Sequence, residues 1–414
     1  MEEMPVKSCV PVLVVLAVAA LPAADDATLK VSGVIQARAL LLSQGTNAAG
    51  DPYDPLRQQD GRAEVARFGL RRARLTAAAQ TPDGWLGTMT IRSVEPNNLN
   101  GTADTNGGGI QLYLAFLGRT FKAGAVEHDL SLGLQKAFTQ ESSISTSTLL
   151  FPATSITAMA SDTFGARGAG VFYKLSHEFV RFGVSVQNNT TANGAELKDG
   201  SPDAGNPGAR NGMHVSGRVE AGVLPSKKSE SFAGAAGTQA VVGFDLATNR
   251  SAYTTNTTTA PGRRTDAVVL GPDFLLHHDA WSLVAEYRVT LVDVTDIDQD
   301  PEDTTRNEQR CWSVTTGYAI PTGGGPVLEP ALRLQWADVH SHRGVPTAND
   351  IGANPALTEN GEFTGKNSGR EWAVGLNTYW NGHKNKTQIA FTESRAAVEE
   401  ARTRFLTLQQ QMLF

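Results

Sequence analysis

Beyond residue 28, apolar and polar residues alternate along most of the chain. In LKVSGVIQARALL, residues 29–41, Leu29 and Val31 fall on one face of an extended chain, and Lys30 and Arg38 fall on the other. The stretch RRARLTAAAQ, residues 71–80, alternates in the same way. Because successive side chains of a strand point to opposite sides, this pattern predicts strands with one apolar face and one polar face.

The alternation predicts sixteen strands and the connections between them. The strands lie at about 29–43, 64–80, 84–95, 110–117, 119–127, 166–176, 178–190, 211–223, 238–247, 264–275, 280–293, 311–320, 326–340, 369–380, 384–394 and 401–414. Connections after odd-numbered strands are mostly long and polar, and connections after even-numbered strands are mostly short. Asn381-Gly382 is a strong hairpin signal in one short connection. Two connections depart from this rule, because 224–237 is long and 395–400 is short.

Connections that alternate in length indicate an antiparallel meander whose two ends face different environments. Outer-membrane barrels combine short periplasmic turns, longer outer loops and an even number of strands. A secreted β-sandwich also has alternating strands, but its loops need not alternate in length. A β-solenoid would show a sequence repeat, and we find none. The predicted fold class is therefore all-β, a transmembrane antiparallel up-and-down β-barrel of about sixteen strands.

The last predicted strand, RTRFLTLQQQMLF, has an aromatic residue at its last position, Phe414. A closed barrel has no free edge, so this strand must pair with the first one. Phe414 is then expected at the periplasmic rim, in the aromatic girdle of the lipid face. An aromatic residue in this place resembles the signal that the barrel-assembly machinery reads, so we expect that machinery as a partner.

The first residues of the chain have the pattern of an export signal. Lys7 precedes an apolar run of about 15 residues, VPVLVVLAVAALPAA at 10–24, a length that fits a signal peptide better than a spanning helix. We predict a signal peptide at 1–24, a barrel domain at 25–414 and a location in the bacterial outer membrane. The two cysteines of the chain provide no disulfide framework.

Composition argues against several other classes of protein. Charged residues make up 19% of the chain, and its net charge is −6. A bundle of membrane helices would need several apolar runs of about 20 residues. A nucleic-acid partner would need a basic stripe, and none stands out. The sequence contains no serine elbow and no metal-spaced histidines, so we expect no enzyme activity, no cofactor and no metal.

One acidic run, DVTDIDQDPEDTTRNE at 293–308, is similar to a calcium loop in its spacing of three aspartates. Pro301 stands where such a loop needs glycine, and Asn307 stands where it needs a bidentate glutamate. We interpret the run as a solvated outer loop. A loose divalent-ion bridge to lipopolysaccharide is the alternative.

The polar faces of the predicted strands carry more basic than acidic residues, although the whole chain is acidic. With the apolar faces turned to lipid, these residues line the lumen, and low-dielectric walls focus their field along a narrow aqueous path. This arrangement favours small anions, unless the interior charges simply pair with one another. The arginines expected to line the pore are Arg38, Arg72, Arg74, Arg92, Arg181, Arg218, Arg288 and Arg333.

The third long connection, 128–165, is the predicted constriction. It is too long for a simple connecting turn, and it contains enough apolar residues to pack inside a barrel. We therefore expect it to fold into the lumen. Lys136 is its only lysine and the predicted cation of the constriction, and the rest is rich in serine and threonine.

Several stretches resemble the phosphate-selective porin O and P family of outer-membrane porins, and they occur in the order expected for that family. They are FGLRRARL at 68–75, FKAGAVEHDLSLGLQKAF at 121–138, VRFGVSVQNNT at 180–190, LVAEYRV at 283–289, LEPALRLQ at 328–335 and WAVGLNTYW at 372–380. The resemblance covers essentially the whole chain after the signal. It implies a sixteen-stranded barrel, usually a homotrimer, with a loop in the lumen and a row of arginines that attract anions.

The sequence thus predicts an outer-membrane porin, a passive aqueous channel for small hydrophilic solutes that prefers phosphate or other small anions. The single lysine of the third connection departs from the family, because its phosphate-selective members place several basic residues at the narrow point. A general diffusion channel therefore stays open as an interpretation. The alternative is a non-conducting outer-membrane barrel that acts as an enzyme, adhesin or anchor. Outer-membrane lipid and lipopolysaccharide are expected partners in either case.

Overall fold

The chain forms antiparallel strands that close into a single barrel, as the sequence predicts. A computed structural model describes residues 27–46, 52–54, 59–60, 67–93, 110–139, 148–152, 167–188, 210–225, 229–231, 237–253, 263–296, 303–341, 369–396 and 402–414. The predicted signal peptide lies outside these residues. Among them, no helix has the length and apolar character needed to cross a membrane.

Sixteen long strands form the barrel wall, and three short strands lie in its connections. The short strands are β2 (Pro52–Asp54), β3 (Gln59–Asp60) and β15 (Ile320–Pro321). The wall consists of β1 (Thr28–Thr46), β4 (Arg67–Gln80), β5 (Trp85–Ser93), β6 (Ile110–Ala123), β7 (Val126–Lys136), β8 (Arg167–Ser176), β9 (Val180–Asn188), β10 (Arg210–Val223), β11 (Gln239–Tyr253), β12 (Arg263–His278), β13 (Trp281–Asp296), β14 (Asp303–Tyr318), β16 (Val327–Ser341), β17 (Gly369–Asn381), β18 (Asn385–Ala396) and β19 (Arg402–Leu413).

The outer face of the barrel is apolar, and the inner face is polar. On β17, Trp372 and Val374 are exposed on the outside, whereas Glu371 and Asn377 are buried on the inside. Every wall strand pairs antiparallel with its neighbours, so its backbone groups are bonded within the sheet. An apolar outer belt combined with a closed ladder is the solution that lets strands cross hydrocarbon, where water cannot satisfy a backbone amide.

Gln410 is a polar residue on the outer face, and its amide is satisfied by neighbouring side chains. Thr387 donates a hydrogen bond to Gln410 Oε1, and Gln410 Nε2 donates to Asn385 Oδ1 at 2.7 Å. These three residues lie on the adjacent strands β18 and β19 near the end that holds the short turns. A small polar cluster at the membrane boundary therefore replaces the apolar side chain that the alternation predicts at this position.

One predicted turn is wrong, and it shifts the start of the third connection. The predicted strands 110–117 and 119–127 are separated by a turn at Gly118, but β6 continues through it to Ala123. A side chain at Gly118 would lie 2.9 Å from Ser131 Cβ, so glycine allows two strands to approach closely here rather than to turn. The real turn uses Gly124, whose φ of 62° suits glycine.

The predicted constriction residue Lys136 is affected by this correction. Residues 126–136 form strand β7, whereas the sequence analysis assigned most of them to a connection. Lys136 is the last residue of that strand, opposite Arg167 of β8. Lys136 is therefore a strand residue and does not belong to the loop.

Several strands extend beyond their predicted ends on the side of the long connections. Strand β14 begins at Asp303 instead of 311, and β11 continues to Tyr253 instead of 247. The sequence in these extensions is polar on both faces, because the strands have left the hydrocarbon. Alternation is therefore absent there, although the backbone pairing continues.

The barrel closes between its first and last strands. Strand β1 pairs with β19 from Val34 opposite Leu413 to Thr46 opposite Arg402. At the end of this seam, Gly33 N donates to Phe414 O at 2.8 Å, and Phe414 N donates to Gly33 O at 3.1 Å. The Phe414 ring covers Gly33 so closely that a Cβ there would lie 2.3 Å from Phe414 Cζ. An aromatic ring thus fills the outer surface that the glycine leaves open.

We predict that Phe414 controls closure of the barrel. Replacing Phe414 with aspartate places a charge in the outer belt and removes the ring from Gly33, so the folded fraction should fall several-fold. Phe414→Tyr keeps the ring and both backbone hydrogen bonds, so it should fold like the parent. The measurement is the heat-modifiable fraction on a gel after outer-membrane extraction. Equal folded yields for aspartate and tyrosine would show that the ring is dispensable.

Candidate functional site: the barrel lumen

The eight arginines singled out from the sequence occupy positions on the polar, inward faces of their strands, but they differ in exposure. Arg218, Arg288 and Arg333 are almost completely buried, and so is Arg38. Half-buried side chains are found at Arg72, Arg74, Arg92 and Arg181. The lumen is therefore not evenly lined with accessible cations.

Three half-buried arginines lie together on the wall made by β4 and β5. Arg72 faces Gln36 of β1, and Arg74 lies directly opposite Arg92. Arg72 and Arg74 are two residues apart on one face, a separation of about 7 Å along a strand. We call Arg72, Arg74 and Arg92 the arginine wall. Like charges placed opposite one another repel, so this arrangement needs a partner that stabilises it.

Tyr113 supplies that partner. The guanidinium carbon of Arg74 lies 3.9 Å from the centre of the Tyr113 ring, and that of Arg92 lies 5.2 Å from it. The register between β5 and β6 skips Tyr113, so it is the extra residue of a β-bulge. A bulge re-aims a side chain, here against the two arginines. Cation–π attraction can therefore hold the two guanidinium groups side by side.

Sequence reasoning did not find Tyr113 as a member of this site. In the stretch IQLYLAFL, two leucines flank the tyrosine at a spacing of two, so the alternation runs through it and indicates no extra residue at Tyr113. Only the pairing of β6 with β5 identifies it as a bulge.

Arg38 binds the barrel wall and the third connection. Its Nε and Nη2 atoms donate to Gln409 Oε1 at 3.2 and 3.1 Å, and Nη2 also donates to the carbonyl of Pro152. These contacts bury the guanidinium group. Arg38 therefore joins the seam strands to the loop in the lumen, and it does not extend the arginine wall as an accessible cation.

On the other side of the lumen, two arginines are enclosed by acidic side chains. Arg218 Nη1 and Nη2 donate to the two oxygens of Asp273 at 2.7 and 2.9 Å, and Arg218 Nε donates to Glu220 at 2.6 Å. Arg288 Nη2 donates to Asp245 at 2.9 Å and to Asp273 at 3.2 Å. This buried ion network links four consecutive strands, β10 to β13. Three carboxylates surround two guanidinium groups, so the network offers no net positive charge to a solute.

Asp273 is the member of this network that the sequence analysis missed. On β12, Val269 and Leu275 lie on the inward face beside Asp273, while Phe274 and Leu276 lie on the outward face. Because both faces carry large apolar residues, alternation does not reveal which one faces the lumen. The lumen-facing side of β12 is identified by the pairing of Asp273 with Glu286 on the adjacent strand.

The remaining two arginines are also held by specific partners. Arg181 lies 3.9 Å from a carboxylate oxygen of Glu220 and donates to the carbonyl of Pro225. Arg333 donates to Thr315 at 3.1 Å, and its guanidinium carbon lies 4.7 Å from the centre of the Phe151 ring. Their guanidinium groups therefore have structural partners in the lumen.

The third connection enters the lumen, as predicted. Its described residues are 137–139 and 148–152, and the others lie outside the structure's description. Phe138 packs against Gly183, where a Cβ would lie 2.8 Å from the ring, and its amide donates to Ser216 Oγ at 3.0 Å. Leu150 and Phe151 pack on the wall residues Ala331, Ala373 and Ala390. Small wall residues thus leave room for the tip of the loop.

The loop tip is also fixed by hydrogen bonds to the wall. Lys386 Nζ and Gln388 Nε2 both donate to the carbonyl of Leu149, at 2.8 and 3.0 Å. The tip therefore fills the side of the lumen formed by β16 to β18, where the wall side chains are buried. The arginine wall on β4 and β5 is half-exposed, so, among the described residues, solvent reaches that part of the lumen.

We predict that the buried ion network stabilises the barrel strongly. Arg218→Ala leaves three carboxylates without their central cation, so the free energy of unfolding should fall by about 3–5 kcal/mol. Asp273→Asn is a milder variant that should lower stability less. Arg306→Ala is the control, because the Arg306–Asp293 pair lies on the exposed part of a hairpin and should matter little. Chemical unfolding in lipid vesicles measures the free energy of unfolding of the parent and the three variants. Similar values for all four proteins would contradict the stabilising role of the network.

Comparison with known proteins identifies the fold. No protein-family model matches the sequence, and no curated protein sequence matches it. Among solved structures, the outer membrane channel DcaP of Acinetobacter baumannii aligns with a TM-score of 0.54 at 12% identity, over 94% of this chain and 98% of that one. The anion-selective porin from Comamonas acidovorans aligns with a TM-score of 0.51 at 10% identity, over 94% and 100%. The OmpF of Salmonella typhi aligns at 0.51 and 13% identity, over 93% and 97%. This chain therefore has the fold of outer-membrane porins.

Proposed function

We propose that the chain is a bacterial outer-membrane porin that forms a passive aqueous channel for small hydrophilic solutes and prefers small anions such as phosphate. One observation carries the preference for anions. The half-buried cations of the arginine wall lie on the part of the lumen that solvent reaches. By contrast, Arg218 and Arg288 are enclosed by buried carboxylates, and Arg38 and Arg333 are almost completely buried.

The chemistry of the arginine wall supports conduction rather than tight binding. A guanidinium group stays charged at any working pH and offers a fork of donors to an oxyanion. Arg72 and Arg74 lie about 7 Å apart along the strand, so an anion can pass from one to the next. Conduction requires sites that attract an ion and also release it. Because Arg74 and Arg92 stack on Tyr113, their positions are set before a solute arrives.

Two observations bear on the choice between phosphate and other anions. Resemblance to the phosphate-selective porin O and P family favours phosphate, and the name of the Comamonas acidovorans porin records an anion preference for that protein. Lys136 lies at the end of a strand, so it does not supply a basic residue to the loop. A row of wall arginines without loop lysines suits small anions in general, with phosphate as one of them.

The same proposal includes location and partners. The pattern of residues 1–24 supports export by a signal peptide, and the apolar outer belt supports contact with outer-membrane lipid and lipopolysaccharide. Phe414 on the closing strand supports recognition by the barrel-assembly machinery. A homotrimer follows from the family resemblance alone.

A non-conducting barrel that acts as an enzyme, adhesin or anchor is the second candidate. The observation that favours it is the burial of lumen side chains from β10 to β18, where the loop tip fills the interior. Single-channel conductance in planar bilayers separates the two candidates, because a passive channel gives steps of current without any added ligand.

Reversal potentials in a salt gradient test the arginine wall. The parent should prefer anions, and the Arg72→Ala, Arg74→Ala double variant should shift several-fold in permeability ratio toward cations. Arg119→Ala is the control, since Arg119 lies near the Trp85 ring on the outer face and should leave selectivity unchanged. A cation-selective parent, or a double variant with the selectivity of the parent, would refute the assignment.

Labelling in intact cells tests the orientation of the barrel. In a Cys311→Ser background, Arg306→Cys lies on an exposed hairpin beyond the membrane and should react with an impermeant thiol reagent. Glu178→Cys lies in the short turn between β8 and β9, on the periplasmic side, and should react only after the cells are opened. The reverse pattern would invert the proposed topology.

A further inference from the structure

The connection between β10 and β11 is longer than the other connections at its end of the barrel, and part of it lies inside the lumen. Strand β10 ends at Val223 and β11 begins at Gln239. By contrast, Gly124 and Ala125 alone join β6 to β7 at the same end. Residues 229–231 of the long connection are described, and Glu230 and Ser231 are both buried. We call residues 229–231 the inner segment.

Wall side chains hold the inner segment in place. Ser231 Oγ donates to Glu329 Oε2 at 2.6 Å, and Tyr379 Oη lies 2.7 Å from Ser231 Oγ and 2.6 Å from Glu329 Oε2. His277 Nε2 lies 2.9 Å from the carbonyl oxygen of Ser229. These wall residues belong to β12, β16 and β17. The inner segment is therefore bound to a large part of the lumen wall.

The inner segment also contacts the tip of the third connection, which enters from the opposite end of the barrel. The amide of Leu150 donates to Glu230 Oε2 at 2.6 Å, and the amide of Ser231 donates to the carbonyl of Thr148 at 3.2 Å. The other carboxylate oxygen, Glu230 Oε1, lies 3.3 Å from Arg333 Nη2. One carboxylate thus joins the loop tip to the wall.

Burial of a carboxylate in a connection between two strands is energetically unfavourable. Transfer of a charged group out of water is strongly unfavourable unless it is paired and hydrogen-bonded. Two strands at this spacing can be joined by two residues, as the other turns of this barrel demonstrate. Because both oxygens of Glu230 contact defined partners, the extra length has a specific structural result, which is to fix where the loop tip lies.

We propose that the inner segment is a second constriction element, which belongs to a connection at the end of the short turns, and that Glu230 is the positioning residue for the tip of the third connection. This inference rests on the proposed channel function. The two segments together occupy the side of the lumen formed by β12 to β18, so they confine the solute path to the side of the arginine wall. Releasing the inner segment should widen that path.

The proposal has a pH dependence with a definite sign. Burial raises the pKa of Glu230 above its ordinary value of 4.5, while Arg333 opposes this rise. The other groups that face it are Lys386 on β18, Glu286 on β13, Glu329 on β16, Tyr379 on β17 and His277 on β12. A raised pKa favours docking when Glu230 is protonated, and docking weakens as pH rises through the raised value. Conductance should therefore increase as pH rises from about 4.5.

A disulfide tests the contact between the two segments. The amide of Ser231 donates to the carbonyl of Thr148 at 3.2 Å, so the two residues are in direct backbone contact. In a Cys311→Ser background, the Thr148→Cys, Ser231→Cys pair should cross-link in the folded barrel, and reduction should raise its single-channel conductance. A folded, conducting barrel in which the pair fails to cross-link would overturn the proposal.

Single variants test the positioning role of Glu230. Glu230→Ala should give larger and noisier current steps than the parent, and Glu230→Gln should conduct with little dependence on pH over the range in which the parent responds. Glu178→Ala, in an exposed short turn, is the control and should match the parent in both respects. Equal conductance and equal pH profiles in all four proteins would overturn the positioning role while leaving the channel function intact. If the disulfide forms but no variant conducts, the channel function itself fails, and the constriction role with it.

Discussion

The structure depends on closure of the backbone hydrogen-bond ladder between β1 and β19. An unpaired amide in hydrocarbon costs several kcal/mol, so an open sheet of this size has no stable place in a bilayer. Once the ladder is closed, the two faces of every strand are fixed, and the apolar set must be the outer one. The inside of the barrel then receives every lumen-facing charge of the chain, whether or not it has a partner. The lumen must therefore accommodate these charged side chains.

The lumen accommodates these charges differently in three regions of its wall. From β10 to β13, arginines and carboxylates are combined into a buried ion network whose members satisfy one another. From β16 to β18, the loop tip and the inner segment cover the wall, and the carbonyl of Leu149 in the loop tip accepts hydrogen bonds from Lys386 and Gln388. On β4 and β5, the guanidinium groups stack on an aromatic ring and stay half-exposed. A division of this kind concentrates the positive field on one side of the aqueous path, instead of cancelling it around the whole circumference.

Most of the fold was predictable from the sequence, because burial against lipid imposes a period of two on each strand. Prediction failed where another constraint produced a similar pattern. Gly118 and Gly124 look alike in the sequence, but one allows close packing of strands and the other turns the chain. Tyr113 and Asp273 depend on cross-strand register, which a single strand does not encode. The inner segment was visible only as a connection of unusual length, since its burial results from contacts with residues far away in the chain.

The seam also has a consequence for the order in which the barrel forms. Hairpins such as β6–β7 need only a two-residue turn, whereas Gln36 and Gln411 meet across a separation of 375 residues. Loop-closure entropy makes such a distant contact roughly 4 kcal/mol less favourable to initiate than a hairpin contact. The seam is therefore expected to form last, after the hairpins have assembled into a curved sheet. Until then, the two edge strands present unpaired ladders, and this intermediate is the species most prone to pair with another chain.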